Sequence, residues 1–135
     1  MAARLLQYAD ELVDAALDAR VARIGAAPTL ELRSGEPPAR CASADTGRLL
    51  AAGVLPAVWM APARDGRKAK AGIWMLEGLA DGTPGHFRIK QGGRAKVQGR
   101  VTKLDAGGPM EIDRDAIQRY QRVEVLRFEL RGGNR

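Results

Sequence analysis

Apolar and polar residues follow two different periods along this chain, and the change comes at Pro28. In residues 2–24, Leu5, Ala9, Leu12, Ala16 and Ala19 recur at a 4-3-4-3 spacing, with Leu6, Val13, Leu17 and Ile24 in a second row beside them. Spacings of three and four collect side chains on one face of a helix, so the pattern predicts one helix over 2–24, stopped by Gly25 and Pro28. The first row has the period of a helix–helix seam. Together the rows make a wide stripe, and a helix draws most of its stability from packing. Two outcomes remain open: the helix packs on its own domain, or Leu5, Ala9, Leu12, Ala16 and Ala19 meet copies of themselves.

After Pro28 the period falls to two, the strand period. "TLELR" places Leu30 and Leu32 opposite Glu31 and Arg33, and "RLLAAGVLP" and "AGIWMLEGL" are apolar enough to be central strands. "MAPARDGRKAK" reads as a loop with an Asp-Gly turn. In "HFRIK", Phe87 and Ile89 face the core, while His86, Arg88 and Lys90 face solvent. Gly92-Gly93 marks a tight hairpin, and "RAKVQGRVTK" returns with Ala95, Val97, Gly99 and Val101 inward. "MEI" points Met110 and Ile112 inward. "RVEVLRFEL" changes phase between Val125 and Leu126, which a one-residue bulge accommodates. About seven strands at short spacing predict a mainly β fold, an antiparallel, jelly-roll-like β-sandwich over 28–135 preceded by an N-terminal α-helical segment over 1–25.

Composition sharpens this only in part. A chain of 135 residues is one domain in size. Cys41 is the only cysteine, so neither an intramolecular disulfide nor a cysteine-rich zinc site can form. The acidic residues Asp10, Glu11 and Asp14 interrupt the N-terminus as a signal peptide would not, and no apolar run is long enough to span a bilayer. These features predict a soluble protein made in the cytoplasm, with no membrane partner. The net charge is +6 and unevenly spread: residues 64–103 carry ten Lys or Arg against Asp65, Glu77 and Asp81, a balance of +7. Such a stripe meets nucleic acid, an acidic protein or only solvent.

The candidate chemistry is thin. His86 is the only histidine, without a second metal ligand at useful spacing, and Ser34 and Ser43 lie in turn-rich sequence without a nucleophile elbow. It reads as a solvent-facing strand residue, with no catalytic, metal or cofactor role. Asp45 and Asp81 read as turn residues that bond their local backbone. The outer row His86, Arg88, Lys90, Lys96 and Arg100 is the better signal, because like charges facing each other across strands destabilise a sheet unless compensated. Aromatic platforms for single strands and a basic reading helix are both missing. A protein partner therefore fits this row better than nucleic acid. The alternative is a basic nucleic-acid-binding module built on the 64–103 segment.

"LELRSGEPPARCASADTGRLLA", with Gly-x-x-Pro, Ala-Asp-Thr-Gly and Leu-Leu-Ala in fixed order, resembles small structural proteins of tailed phages and prophages. The likeness continues through "LPAVWMAPARDGRKAKAGIW", "ADGTPGHFRI", "VQGRV", "MEID" and "VEVLRFEL", roughly residues 28–133. The resemblance implies a non-enzymatic virion component of head-decoration or fiber type. Its partners would be capsid, portal or tail proteins, and it would form homo-oligomers such as trimers. The protein would reside in the virion, and in the host bacterial cytoplasm during assembly. Such proteins tend to be rich in Ser and Thr and nearly neutral. The Arg and Lys found here imply an unusually acidic partner.

Overall fold

The computed structural model describes residues 6–132. The element order is α1 (Asp10–Ile24), β1 (Thr29–Ser34), β2 (Leu49–Val54), β3 (Arg67–Ala69), β4 (Trp74–Gly78), β5 (Pro84–Gln91), β6 (Arg94–Lys103), β7 (Met110–Ile112) and β8 (Arg122–Arg131). Seven of the strands predicted by alternation are present. β3 is an addition, in a segment read as a loop.

Within the described residues the helix starts at Asp10, with residues 6–9 ahead of it not helical, and residues 2–5 of the predicted helix lie outside the described residues. Asp10 and Glu11 occupy its first turn and Arg23 its last, which suits the helix dipole. Leu6 is exposed, and among the described residues the apolar period alone does not extend the helix ahead of Asp10. Gly25, at φ 101°, donates its N–H to Val21 and ends it.

The strands run β8-β4-β2-β1-β5-β6-β7, and β7 pairs back onto β8. The sheet therefore closes into a seven-stranded barrel, with β3 appended to β8. This corrects the expected jelly-roll-like sandwich. Two features cause the closure. β7 lies parallel to β6 (Val101↔Met110) and antiparallel to β8 (Met110↔Phe128), so one three-residue strand joins both ends of the sheet. β8 is also long enough to turn. Its first half pairs with β4 and its last residues with β3. The register against β7 slips between Glu111 and Ile112. That slip is the bulge read from the phase change: Val123, Val125 and Phe128 are all buried.

The barrel is filled by side chains. Trp59, Trp74, Phe128 and Phe87 form a chain of ring contacts, with centroids 6.0, 5.5 and 5.4 Å apart. Leu30, Leu32, Leu50, Leu76, Ile89 and Val123 pack around them. The Trp59 indole donates to the Gly25 carbonyl at 2.9 Å, tying the end of α1 to the core. Gly92 and Gly93, at φ 60° and 75°, make the β5–β6 turn that their sequence predicts.

Candidate functional site

The most polar buried part of the molecule lies on the outer face of β5. Residues 35–47 cross this face as a loop. They approach closely because residue 85 is glycine: a Cβ there would fall 2.3 Å from the Gly35 carbonyl oxygen. His86 lies beneath the loop, 0% exposed, with Nδ1 2.8 Å from the same oxygen. A carbonyl only accepts, so Nδ1 carries the hydrogen. Nε2 is buried without a partner. His86 is therefore not the solvent-facing residue that alternation implied. It is a buried fastener between β5 and the loop.

Arg88 is likewise buried, at 2% exposed. Its Nη1 bonds Asp45 Oδ1, and its Nη2 donates to the carbonyls of Cys41 at 2.6 Å and Ser43 at 3.2 Å. Asp45 is a hub: Oδ2 accepts from Lys90 Nζ at 2.8 Å and from Arg33 Nη2 at 3.2 Å. Glu31 extends the network, with Oε1 3.0 Å from Arg33 Nε and 3.1 Å from Lys90 Nζ. Hydrogen bonds from Lys90 and Arg88 hold the Asp45 carboxyl down at a pKa of about 2, against the desolvation that opposes them. This corrects the reading of Asp45 as a local turn residue. Asp81 departs from that reading too, since its Oδ1 accepts from the amide of Arg119 at 2.8 Å.

The five residues expected to form one basic outer row are thus separated. His86 and Arg88 are covered, and Lys90 is largely engaged with Asp45 and Glu31. Arg100 is exposed and pairs with Glu36 at 2.9 Å. Lys96 is exposed and sits at a bulge, because Ile89↔Val97 is followed by Lys90↔Ala95. The long-range partners Asp45, Glu31 and Arg33 were missed. They belong to segments whose local pattern carries no sign of the pairing.

Between loop residues 41–45 and the β5–β6 hairpin runs an open groove of about 560 Å³. Cys41, Asp45, Arg88, Lys90, Arg94 and Lys96 line it. A depression of about 880 Å³ beside the β8 bulge has mixed charge, with Lys70, Glu111, Arg127, Glu129 and Arg131 on its walls. Among the described residues, no three His, Cys, Asp or Glu side chains converge as a metal site would require, and no helix is long and apolar enough to cross a membrane.

The helix presents a second surface. Val13, Leu17 and Ile24 are buried and Val21 packs against the core, so the second apolar row docks on the barrel from Val13 onward, while its first member, Leu6, is exposed. Asp14 accepts from the Gly66 amide at 2.8 Å. Asp18 accepts from the Ala63 amide at 3.0 Å and from Lys68 Nζ. Hydrogen bonds from Lys68 and the Ala63 amide lower the Asp18 pKa. The seam row faces outward: Ala9, Leu12, Ala16 and Ala19 are exposed, and Leu5 lies outside the described residues. The chain matches no protein-family model, no curated protein and no solved structure.

Proposed function

We propose that this protein is a non-enzymatic structural subunit of a tailed phage or prophage particle, of head-decoration or fiber type, that self-associates and binds other virion proteins. The observation that carries the proposal is the split use of α1. One row fastens the helix to the barrel, and Asp14 and Asp18 fix its orientation through the 63–68 segment. The other row, described from Ala9 to Ala19 and with Leu12 at 55% exposed, faces outward. An exposed apolar row on a side-chain-filled barrel suits a building block that meets copies or neighbours. The phage-like order of turn motifs between residues 28 and 133 supplies the context.

Two measurements test the reading. Light scattering after size-exclusion chromatography should give the full chain a mass near a multiple of 14.5 kDa, a trimer being the favoured case. Leu12→Glu with Ala16→Glu should return it to monomer without loss of β signal in circular dichroism. Purified particles from the host should contain the chain in stoichiometric amount by mass spectrometry. A monomeric full chain that is also missing from particles would remove the proposal.

A further inference from the structure

We infer that the groove between residues 41–45 and the β5–β6 hairpin docks an acidic segment of a neighbouring protein. The inference deepens the structural-subunit reading and rests on it for the kind of partner. Four cations, Arg88, Lys90, Arg94 and Lys96, line the groove against one carboxylate, Asp45. They are not equivalent. Arg88 and Lys90 are already engaged with Asp45. Arg94 and Lys96 are exposed and have no ion pair among the described residues.

Backbone geometry sets these two side chains at the rim. Gly92 and Gly93 both take positive φ, so β6 begins at Arg94, immediately after the turn. Lys96 is the extra residue of the bulge opposite Ile89 and Lys90. Bulges re-aim side chains, and Lys96 joins the groove lining together with Ala95. Arg88 lines the same groove with its guanidinium held by Asp45 and by the carbonyls of Cys41 and Ser43, and its Nε–H is buried without an acceptor. The groove therefore offers two exposed cations, Arg94 and Lys96, without an ion pair among the described residues, beside an Arg88–Asp45 pair that is already matched. The bound ligand would supply the missing negative charge.

Carboxylates on a peptide fit better than a phosphate backbone. No aromatic side chain lines the groove for base stacking. Much of the +7 stripe is also spent elsewhere: Lys68 on Asp18, Arg100 on Glu36 and Lys103 near Asp115.

The test uses the full chain and a fluorescent oligo-glutamate peptide, with Cys41 as an internal reporter. Cys41 lines the groove and is the only thiol. Anisotropy at low salt should show saturable binding that weakens as salt is added. Arg94→Gln with Lys96→Gln should weaken binding about tenfold or more. Arg119→Gln with Arg122→Gln removes the same charge from the turn before β8 and its first residue and should leave binding nearly unchanged. Bound peptide should slow modification of Cys41 by an anionic aromatic disulfide. The groove is ruled out as the site by an absence of saturable binding, by equal losses in the two double variants, or by unprotected Cys41. Tighter binding of oligo-thymidylate, lost with the same Arg94 and Lys96 change, would replace the inference with nucleic-acid binding. None of these readouts depends on self-association or on presence in particles, so the subunit reading and the groove can fail separately.

Discussion

Arg88 shows how one buried charge organises a loop that has no apolar pattern of its own. Its guanidinium collects Asp45 and the carbonyls of Cys41 and Ser43, and so holds the middle of the 35–47 loop against β5. A buried charge is costly unless paired, and removing one partner leaves the others desolvated and unmatched. Arg88→Ala should therefore destabilise the protein by about 2–3 kcal/mol in urea titrations, near the lower end for buried pairs because Asp45 is partly solvated. It should also speed hydrogen exchange in residues 36–47. Asp45 adds a pH dependence whose sign is fixed. Its folded pKa of about 2 lies below the unfolded value of about 3.9, so its contribution is complete above that value and is lost as pH falls through about 2. Stability measured from pH 5 downward should fall less steeply in Asp45→Asn than in the native chain. Equal slopes would mean that Asp45 is not ion-paired in solution.

At the scale of elements, α1 gives the sharpest contrast between two rows of the same helix. Leu17 is 1% exposed, so Leu17→Ala should cost about 2–4 kcal/mol of unfolding free energy. Leu12→Ala, on the outward row, should stay within about 0.5 kcal/mol when the monomer is compared with the monomer. Chemical denaturation of both variants checks the docking direction, and a reversed order would mean that the helix is rotated. Both rows were legible in the sequence, but which one docks was not. That choice depends on Asp14 and Asp18 meeting the amides of Gly66 and Ala63, some fifty residues away in the chain. Strands β6 and β7 were readable to the residue, because alternation and flanking turn residues bound them. β3 escaped because Arg67, Lys68 and Ala69 show no apolar alternation and are strand only by pairing with Leu130 and its neighbours. The burial of His86 and Arg88 was hidden for a related reason. Alternation identifies the two faces of β5, but the polar loop that covers the outer one leaves no periodic trace.

For the molecule as a whole, the difference between a sandwich and a barrel rests on one seam. Both architectures share the same inward and outward alternation, so the strand pattern could not distinguish them. What closes the sheet is β7, three residues long, bound to β6 on one side and β8 on the other. A strand this short would fray at a free edge. Here its residues Met110, Glu111 and Ile112 are all buried. The Glu111 carboxylate accepts from the amides of Asp105 and Gly107, 3.1 Å from each, which fixes the tight return from β6. The seam should therefore open only when the whole barrel does. Native-state hydrogen exchange in rising urea measures this directly, since locally opening segments exchange at lower free energy than the global transition. The protected amides of β7 and of Val125–Phe128 should merge with the slowest amides of β1 and β5. Exchange of β7 several kcal/mol below the global value would describe an open sheet with a loosely laid strand. In that case Met110 and Phe128 would lose the enclosure that the closed barrel gives them.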